Sequence, residues 1–333
     1  MNVEFHYYIV NFLALRAGFS HDDARVIAYS SEFVDSSIFA YVVKYESRIY
    51  KIEITQNYGW WDDRTPANIY IPFHFFPGDT NHAGAMRTDG RRSTLNCTPN
   101  SSRVKAQLIT ALKTRDLYRI GVALHPFADS WAHQNFSGVQ DGWNMVDSKS
   151  LIPSIGHAQA LTTPDDFAAV WADSRLTGAN SRISNRNRFL EAAEKIYKYL
   201  CTYNRRSFND AGLVMDELEQ ISVDDRPGLE PKRRQERILD LIIAADLQRY
   251  NRKDWLSEAL YLDQNPEDEE LFTGYSKLLW LRDTALYQTS LLKKKPLHAK
   301  PRFEASHLFK WCEAVKSHRL TAREILGRDA SGL

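Results

Sequence analysis

The chain has 333 residues, of which 43% are hydrophobic, so it can bury a substantial core in one large or two ordinary domains. Its 43 lysine and arginine residues nearly balance 42 aspartate and glutamate residues, and this charge does not support binding to nucleic acid or to a membrane surface. Three widely spaced cysteines favour a reducing compartment over a disulfide framework. We find no signal-peptide pattern and no apolar stretch near the ~20 residues that span a bilayer. We therefore expect a soluble cytoplasmic protein with no transmembrane segment.

The first 36 residues predict two helices, each with one metal-capable side chain on its apolar face. Residues 3–17 have helical periodicity, and His6 shares the apolar face. A second helix is predicted from about 21 to 36, after the typical N-cap residue Ser20, and Asp35 lies on its apolar stripe. A single inward histidine or aspartate is usually a core or capping residue. Two in consecutive helices favour a site when other elements add to them.

The rest of the chain predicts a mainly α-helical protein with a small β insertion. Residues 41–58 alternate between apolar and polar side chains, which indicates a β-hairpin. One helix is predicted over 103–124, and helical periodicity returns at 186–203, 230–250, 268–292 and 303–326. We therefore expect a multi-helix metal-site bundle over residues 1–165. Residues 166–333 are predicted to be a helical C-terminal extension that packs on this core as one unit.

A stripe of three metal-capable residues lies at the centre of the predicted core. His125, Asp129 and His133 are spaced by four, so on a helix they share one face, with the two histidine backbones about 12 Å apart. One ion could not easily reach both histidines, whereas two neighbouring ions could share Asp129. The alternative is a surface or a satisfied polar network. The intervening residues are almost all apolar, which indicates burial and a need for partners. Pro126 either starts or kinks this helix.

Two further histidines are candidate ligands outside the stripe. His74 lies in an aromatic, turn-rich segment, and His157 lies between Gly156 and Ala158 in a loop. Either could instead be an ordinary packed histidine. The histidines of the last hundred residues have no clustered acids at ligand spacing, and we interpret them as structural. Aromatic side chains that could line a substrate site are Trp60, Trp61, Phe73, Phe75 and Trp131.

The run His125-x3-Asp129-x3-His133-x-Asn135-Phe136, with an inward His near the N-terminus and an inward Asp on the next helix, resembles the zinc-dependent phospholipase C and single-strand nuclease superfamily. The segments Phe5-His6-Tyr7-Tyr8 and Phe73-His74-Phe75-x-Pro77-Gly78 are similar to those of a bacterial family of unknown function. The resemblance covers residues 1–165.

The resemblance implies a mainly helical fold that holds one to three zinc ions, with iron or manganese as alternatives. His125, Asp129 and His74 would bind a first ion, His133 and His157 a second, and His6 would support a third, while Asp129 bridges. Asp35 would bridge ions or orient the attacking water, so Asp35 and Asp129 are the candidate catalytic residues. The superfamily has an acidic ligand one turn after the His157 position, where this chain has Leu161.

These ligands predict a metal-dependent hydrolase in which a metal-bound hydroxide attacks a phosphate ester. The substrate would be a small-molecule or lipid phosphoester; a nucleic acid is possible, although the charge does not support one. Two alternatives stay open. The metal could serve only as a structural clamp in a non-catalytic metalloprotein, or the chain could be a helical interaction protein without metal.

Overall fold

The computed structural model describes residues 1–38, 40–57, 62–222, 230–262 and 296–327. Helices dominate these residues and the strands are short, which confirms the mainly α-helical prediction. The helices are α1 (Val10–Arg16), α2 (His21–Ser36), α3 (Ile71–Phe73), α4 (Ser102–Thr114), α5 (Leu117–Ala132), α6 (Asn185–Tyr203), α7 (Ala211–Ser222), α8 (Glu230–Ala245), α9 (Asp254–Ala259) and α10 (His307–Leu326). The strands are β1 (Val42–Tyr45), β2 (Arg48–Lys51), β3 (Val170–Ala172), β4 (Arg182–Ser184), β5 (Leu260–Tyr261) and β6 (Leu297–Ala299).

The N-terminal helices follow the sequence pattern closely. A π-helical segment, Glu4–Ile9, leads directly into α1, so His6 lies in a stretch whose geometry is often found at functional sites. The Ser20 side chain accepts a hydrogen bond of 3.1 Å from the backbone N–H of Asp23, as the capping pattern predicts. A buried salt bridge between Glu4 and Arg237 joins this N-terminal segment to α8.

The prediction of one helix over residues 103–124 is wrong, because a short non-helical turn separates α4 from α5. Arg115 adopts a left-handed conformation with φ of 59°, which ends α4. The Asp116 carboxylate then accepts hydrogen bonds from the N–H groups of Tyr118 and Arg119 and caps α5. Pro126 lies inside α5 and neither starts nor ends it.

Helix α5 is the central element, and it packs against α2, α4, α6 and α10. Its crossing with α2 is very close at Gly121, where a Cβ atom would lie 2.3 Å from the carbonyl oxygen of Ile27 and 2.4 Å from Ser30 Cβ. Only glycine permits this approach. One turn later on α5, His125 therefore reaches the backbone of Ser31 on α2.

The β structure is a four-stranded sheet of order β2-β1-β6-β5 and a separate pair, β3 and β4. The predicted hairpin is present as antiparallel β1 and β2, although its strands occupy only residues 42–51. Strand β6 pairs in parallel with β1 and antiparallel with β5, so it attaches the C-terminal half to the hairpin. The sequence pattern predicted neither β5 nor β6. The predicted helix at 268–292 lies outside the described residues.

The hydrophobic core includes side chains from both halves of the chain, among them Phe33, Phe127, Tyr197 and Trp311. Throughout the described ranges, no helix is long and apolar enough to cross a membrane.

Candidate metal centre

Eight side chains from distant parts of the chain converge where α2 and α5 meet the loop segments. We call them the histidine–aspartate cluster: His6, Asp35, His74, His125, Asp129, His133, His157 and Asp165. In the described residues, three groups have ligand atoms within 4.8 Å of one another: His6, His125 and Asp129; Asp35, His74 and His125; and His133, His157 and Asp165. The structure thus brings together all seven residues predicted as ligands and adds Asp165.

The group around His74 and His125 has the spacing expected of metal ligands. His74 Nδ1 lies 3.2 Å from His125 Nε2, and Asp129 Oδ2 lies 3.5 and 3.3 Å from these two nitrogens. Asp35 Oδ1 lies 3.7 Å from the His74 nitrogen and 3.6 Å from the His125 nitrogen. Tetrahedral zinc with bonds of about 2.0–2.1 Å places its ligand atoms about 3.3 Å apart. The Asp35, His74 and His125 atoms therefore have spacings close to those around one ion, and Asp129 Oδ2 lies near both histidine nitrogens.

Backbone carbonyls determine which ring nitrogens face the carboxylates. His74 Nε2 donates to the carbonyl of Thr55 over 2.8 Å, and His125 Nδ1 donates to that of Ser31 over 2.8 Å. In the neutral rings, the two facing nitrogens then carry lone pairs. Two lone pairs and two carboxylates at one point repel one another unless a cation lies between them. A proton on His74 or a metal ion can supply that charge.

The group around Asp165 repeats the same pattern. His133 Nδ1 lies 2.8 Å from the carbonyl oxygen of His74, and its Nε2 lies 3.0 Å from Asp165 Oδ1. His157 Nδ1 lies 2.8 Å from the carbonyl oxygen of Leu161, and its Nε2 lies 3.3 Å from Asp165 Oδ2. Each ring therefore uses one nitrogen for the backbone and presents the other to the carboxylate.

Asp129 connects the groups because its two oxygens face different partners. Oδ2 faces His74 and His125, whereas Oδ1 lies 3.1 Å from His6 Nε2. The His6 ring also stacks on His125 with centroids 3.8 Å apart. The amino group of Met1 is hydrogen-bonded to Asp129 and lies 3.0 Å from Asp165 Oδ1. Asp129 thus lies between two of the groups, and its role as a bridge between ions stays a prediction.

The protonation of the cluster follows from burial and from these contacts. Burial alone would raise the pKa of Asp129, but His133 and the Met1 amino group hold it well below its usual range. Burial would also lower the pKa of the Met1 amino group, and the carboxylates of Asp129 and Asp165 outweigh this and raise it to about 11. Burial is the main cause that lowers the pKa of His6 to about 3. The buried carboxylates therefore stay ionised and require positive partners.

Gly156 and Phe75 position the loop that carries His157. Gly156 has φ of +50°, and a Cβ there would lie 2.4 Å from the Phe75 ring. Phe75 in turn stacks on His133 with ring centroids 4.6 Å apart. Because the loop backbone lies directly on this aromatic ring, His157 approaches His133 and Asp165.

The loop then makes a turn whose geometry is unusual for its sequence. Leu161 has φ of 55° and ψ of −132°, and Thr162 has φ of −88° and ψ of 0°. These are the angles of a type II′ turn, in which glycine normally occupies the first central position. A leucine in such a conformation costs about 1–3 kcal/mol. The turn directs the Leu161 carbonyl toward His157 Nδ1.

A cavity of about 560 Å³ lies against the cluster. Its charged and polar lining includes Asp35, His74, His133, His157 and Asp165, and its apolar lining includes Tyr70, Phe75, Ile152, Pro153, Ile155 and Leu161. The cavity gives a small molecule access to two of the three groups, since the third consists of fully buried residues.

Among the aromatic residues predicted to line a substrate site, Phe75 lines the cavity. The prediction is wrong for Phe73, which is buried and stacks on His318, and for Trp131, which is buried and donates its indole N–H to Glu191. Trp60 and Trp61 lie outside the described residues.

The sequence analysis did not assign Asp165 or the Met1 amino group to the cluster. The resemblance predicts an acid one turn after His157, where this chain has Leu161. In the structure, short 3₁₀ turns at Ala158–Ala160 and Thr163–Asp165 fold the loop back, and the acid is eight positions after the histidine. The one sequence feature that could have indicated Asp165 is its position directly after Pro164, in the loop that follows His157.

These features define the class of the protein: a mainly α-helical chain with a buried cluster of histidines and aspartates beside a cavity. The chain matches the model of DUF6765, a family of unknown function, over residues 1–326, and it belongs to that family. No curated protein and no solved structure was found to match it.

Proposed function

We propose that the protein is a metal-dependent hydrolase of phosphate esters, with its ions held by the histidine–aspartate cluster. The observation that carries this proposal is the orientation of the rings. His74, His125, His133 and His157 each present one nitrogen to a carboxylate while the other meets a backbone carbonyl. Such preorganisation is typical of metal-binding histidines.

The ligand chemistry supports zinc, with iron or manganese as alternatives, because imidazole and carboxylate suit all three ions. Asp35, His74, His125 and Asp129 would hold one ion. His133, His157 and Asp165 would hold another, and His6 with Asp129 would support a third.

The proposed reaction assigns separate tasks to the carboxylates and the histidines. Bound divalent ions would lower the pKa of a water molecule and stabilise the charge that develops on the phosphate oxygens. Asp35 is the most exposed carboxylate of the cluster, 28% exposed, and it lines the cavity, so it can orient a water toward the substrate phosphorus. Asp129 is 1% exposed, and it would hold the surrounding histidines and ions in fixed positions.

The cavity favours a catalytic role over a purely structural one. A structural zinc site is a closed shell, whereas a catalytic site leaves a position open to water or substrate. Asp35 and His74 of one group line the cavity, and so do all three members of the group of His133, His157 and Asp165. The group of His6, His125 and Asp129 is fully buried, which favours the second candidate, a structural clamp, for an ion at that position.

Metal content provides the first test. The protein would be purified without chelator or affinity metal, and its ions per chain measured by mass spectrometry. We expect two or more ions in the wild type and a loss of at least one in Asp129→Asn. Hydrolysis of bis(p-nitrophenyl) phosphate should fall more than 100-fold in the same variant. The substitution weakens ion binding and removes the negative charge of the carboxylate proposed to bridge the ions.

His318→Gln is the matched control, because His318 is also buried and also faces a backbone carbonyl, that of Pro72, but faces no carboxylate of the cluster. It should keep its metal. A wild-type protein that binds no metal even after reconstitution would refute the proposal. A wild-type protein that holds a single ion and keeps it in Asp129→Asn would indicate a structural site elsewhere.

A further inference from the structure

Leu161 combines a strained backbone with an exposed side chain. Glycine would adopt its type II′ turn without strain. The leucine side chain is 62% exposed, so packing within the protein does not compensate for the strained conformation. Leu161 is also one of the residues that line the cavity, with His157 and Asp165. A leucine at this position is useful if the side chain contacts a molecule bound in the cavity.

Other apolar side chains of the same loop surround the cavity with Leu161. We call Ile152, Pro153, Ile155 and Leu161 the apolar lip; all four line the cavity, and Ile152 is 39% exposed. Phe75 and Tyr70 continue this apolar surface inward to the cluster. A ligand held at the cluster by its phosphate would therefore find apolar residues in the lining of the same cavity.

The described lining of the cavity carries carboxylates and no strongly basic side chain, which does not favour an extended polyanion as ligand. Among the described residues that line it, none is lysine or arginine. A polynucleotide presents phosphates on both sides of the reacting one, and proteins normally neutralise these with basic side chains. Outside the cluster, the described polar lining includes the uncharged amides Gln56 and Asn57, together with Thr162 and Met1.

We infer that Leu161 and the apolar lip bind an apolar ester group attached to the substrate phosphate, so that the enzyme prefers phosphate esters with an extended alkyl chain. This inference rests on the proposed function and names the substrate class of the same site. Leu161 is then a specificity-determining residue, and its strained turn both exposes the side chain to the ligand and orients His157.

The test compares two diesters, methyl p-nitrophenyl phosphate and octyl p-nitrophenyl phosphate, below the micelle concentration and with zinc-loaded protein. We expect kcat/KM to be at least tenfold higher for the octyl ester in the wild type. Leu161→Gly should reduce this octyl-to-methyl ratio about fivefold, mainly through KM, because the side chain is lost while the backbone carbonyl that orients His157 is kept. Its Tm should stay equal or rise, since glycine relieves the strain.

Leu151→Gly is the control, because Leu151 is a fully exposed leucine of the same loop that does not belong to the cavity lining. It should leave the ratio unchanged. Equal kcat/KM for both esters in the wild type, or a ratio unaffected by Leu161→Gly, would overturn the inference.

Calorimetric binding of octylphosphonate and methylphosphonate separates the two proposals. If octylphosphonate binds more tightly and the difference depends on Leu161, but neither diester is hydrolysed, the hydrolase proposal fails. The binding of an alkyl group by the apolar lip is then still supported. Hydrolysis of both diesters at equal efficiency would support the hydrolase proposal and refute the proposal that the apolar lip binds an alkyl group.

Discussion

At the scale of single residues, the candidate site depends on backbone carbonyls that no motif encodes. The imidazole of His125 is oriented by Ser31, that of His74 by Thr55 and that of His157 by Leu161. The sequence shows which residues can bind metal, but the nitrogen available for binding is decided by the acceptor on the other side of the ring.

Asp165 provides a residue-scale prediction. Asp165→Asn removes the carboxylate of the group that Asp165 forms with His133 and His157. We therefore expect about one ion fewer per chain by mass spectrometry, with the ions at Asp129 retained. Asp166→Asn is the matched control, because the neighbouring carboxylate accepts a hydrogen bond from the N–H of Ala168 instead. Unchanged metal content in Asp165→Asn would show that this group holds no ion.

At the scale of elements, the crossing of α2 and α5 assembles the cluster. The two helices supply Asp35, His125 and Asp129, and their separation is set by Gly121 against the backbone of Ile27. The break at Arg115 is equally important, because a continuous helix from 103 would give α5 a different start and direction. Helix periodicity alone did not reveal this break, since both segments have apolar stripes.

Gly121→Ala tests the crossing. The added methyl group meets backbone on α2, which cannot move aside like a flexible side chain, so we expect a loss of about 1–3 kcal/mol in the free energy of unfolding. Urea denaturation monitored by circular dichroism measures it. The separation of the helices should also lengthen the hydrogen bond from His125 to Ser31 and weaken metal binding.

Gly212→Ala in α7 is the control for this substitution, because a Cβ there meets nothing within 4 Å. As a plain replacement of glycine by a better helix former, it should raise the free energy of unfolding by up to about 1 kcal/mol. If both variants behaved alike, the close crossing would not be a constraint.

At the scale of the whole molecule, α10 packs against α3, α4 and α5, close to the elements that carry the cluster. His318 receives a hydrogen bond at Nδ1 from Gln107 of α4, 2.9 Å away, and donates from Nε2 to the carbonyl of Pro72 over 2.9 Å. Three segments that are far apart in the chain are thus joined through one buried ring. Both ring nitrogens are occupied in the neutral form, so a second proton at Nδ1 would face the amide N–H of Gln107.

This contact predicts a pH dependence of stability. Burial is the main cause that lowers the pKa of His318 from 6.5 to about 4. Between these values the unfolded chain binds a proton that the folded chain does not, so the free energy of unfolding falls as the pH drops from 6.5 toward 4. The loss reaches at most about 3 kcal/mol and does not grow further below pH 4.

Urea denaturation of the wild type and His318→Gln at several pH values checks this. The wild type should lose more stability between pH 6.5 and 4 than the variant, because the other titrating groups are common to both proteins. Parallel curves would show that His318 is not the responsible group.

Helices α1, α2, α6, α8 and α10, the hairpin and seven members of the cluster could be predicted from the sequence, because periodicity, caps and residue chemistry are local properties. His6 and Asp35 share the apolar faces of their helices, and the residues between His125, Asp129 and His133 are almost all apolar, which indicated that these side chains are buried. The tertiary structure alone decided where α5 begins, how β6 joins the hairpin, and that Asp165 instead of a residue near Leu161 completes its group. These features depend on contacts between residues far apart in sequence, and on a turn at Leu161 whose conformation opposes the local preference of its residue.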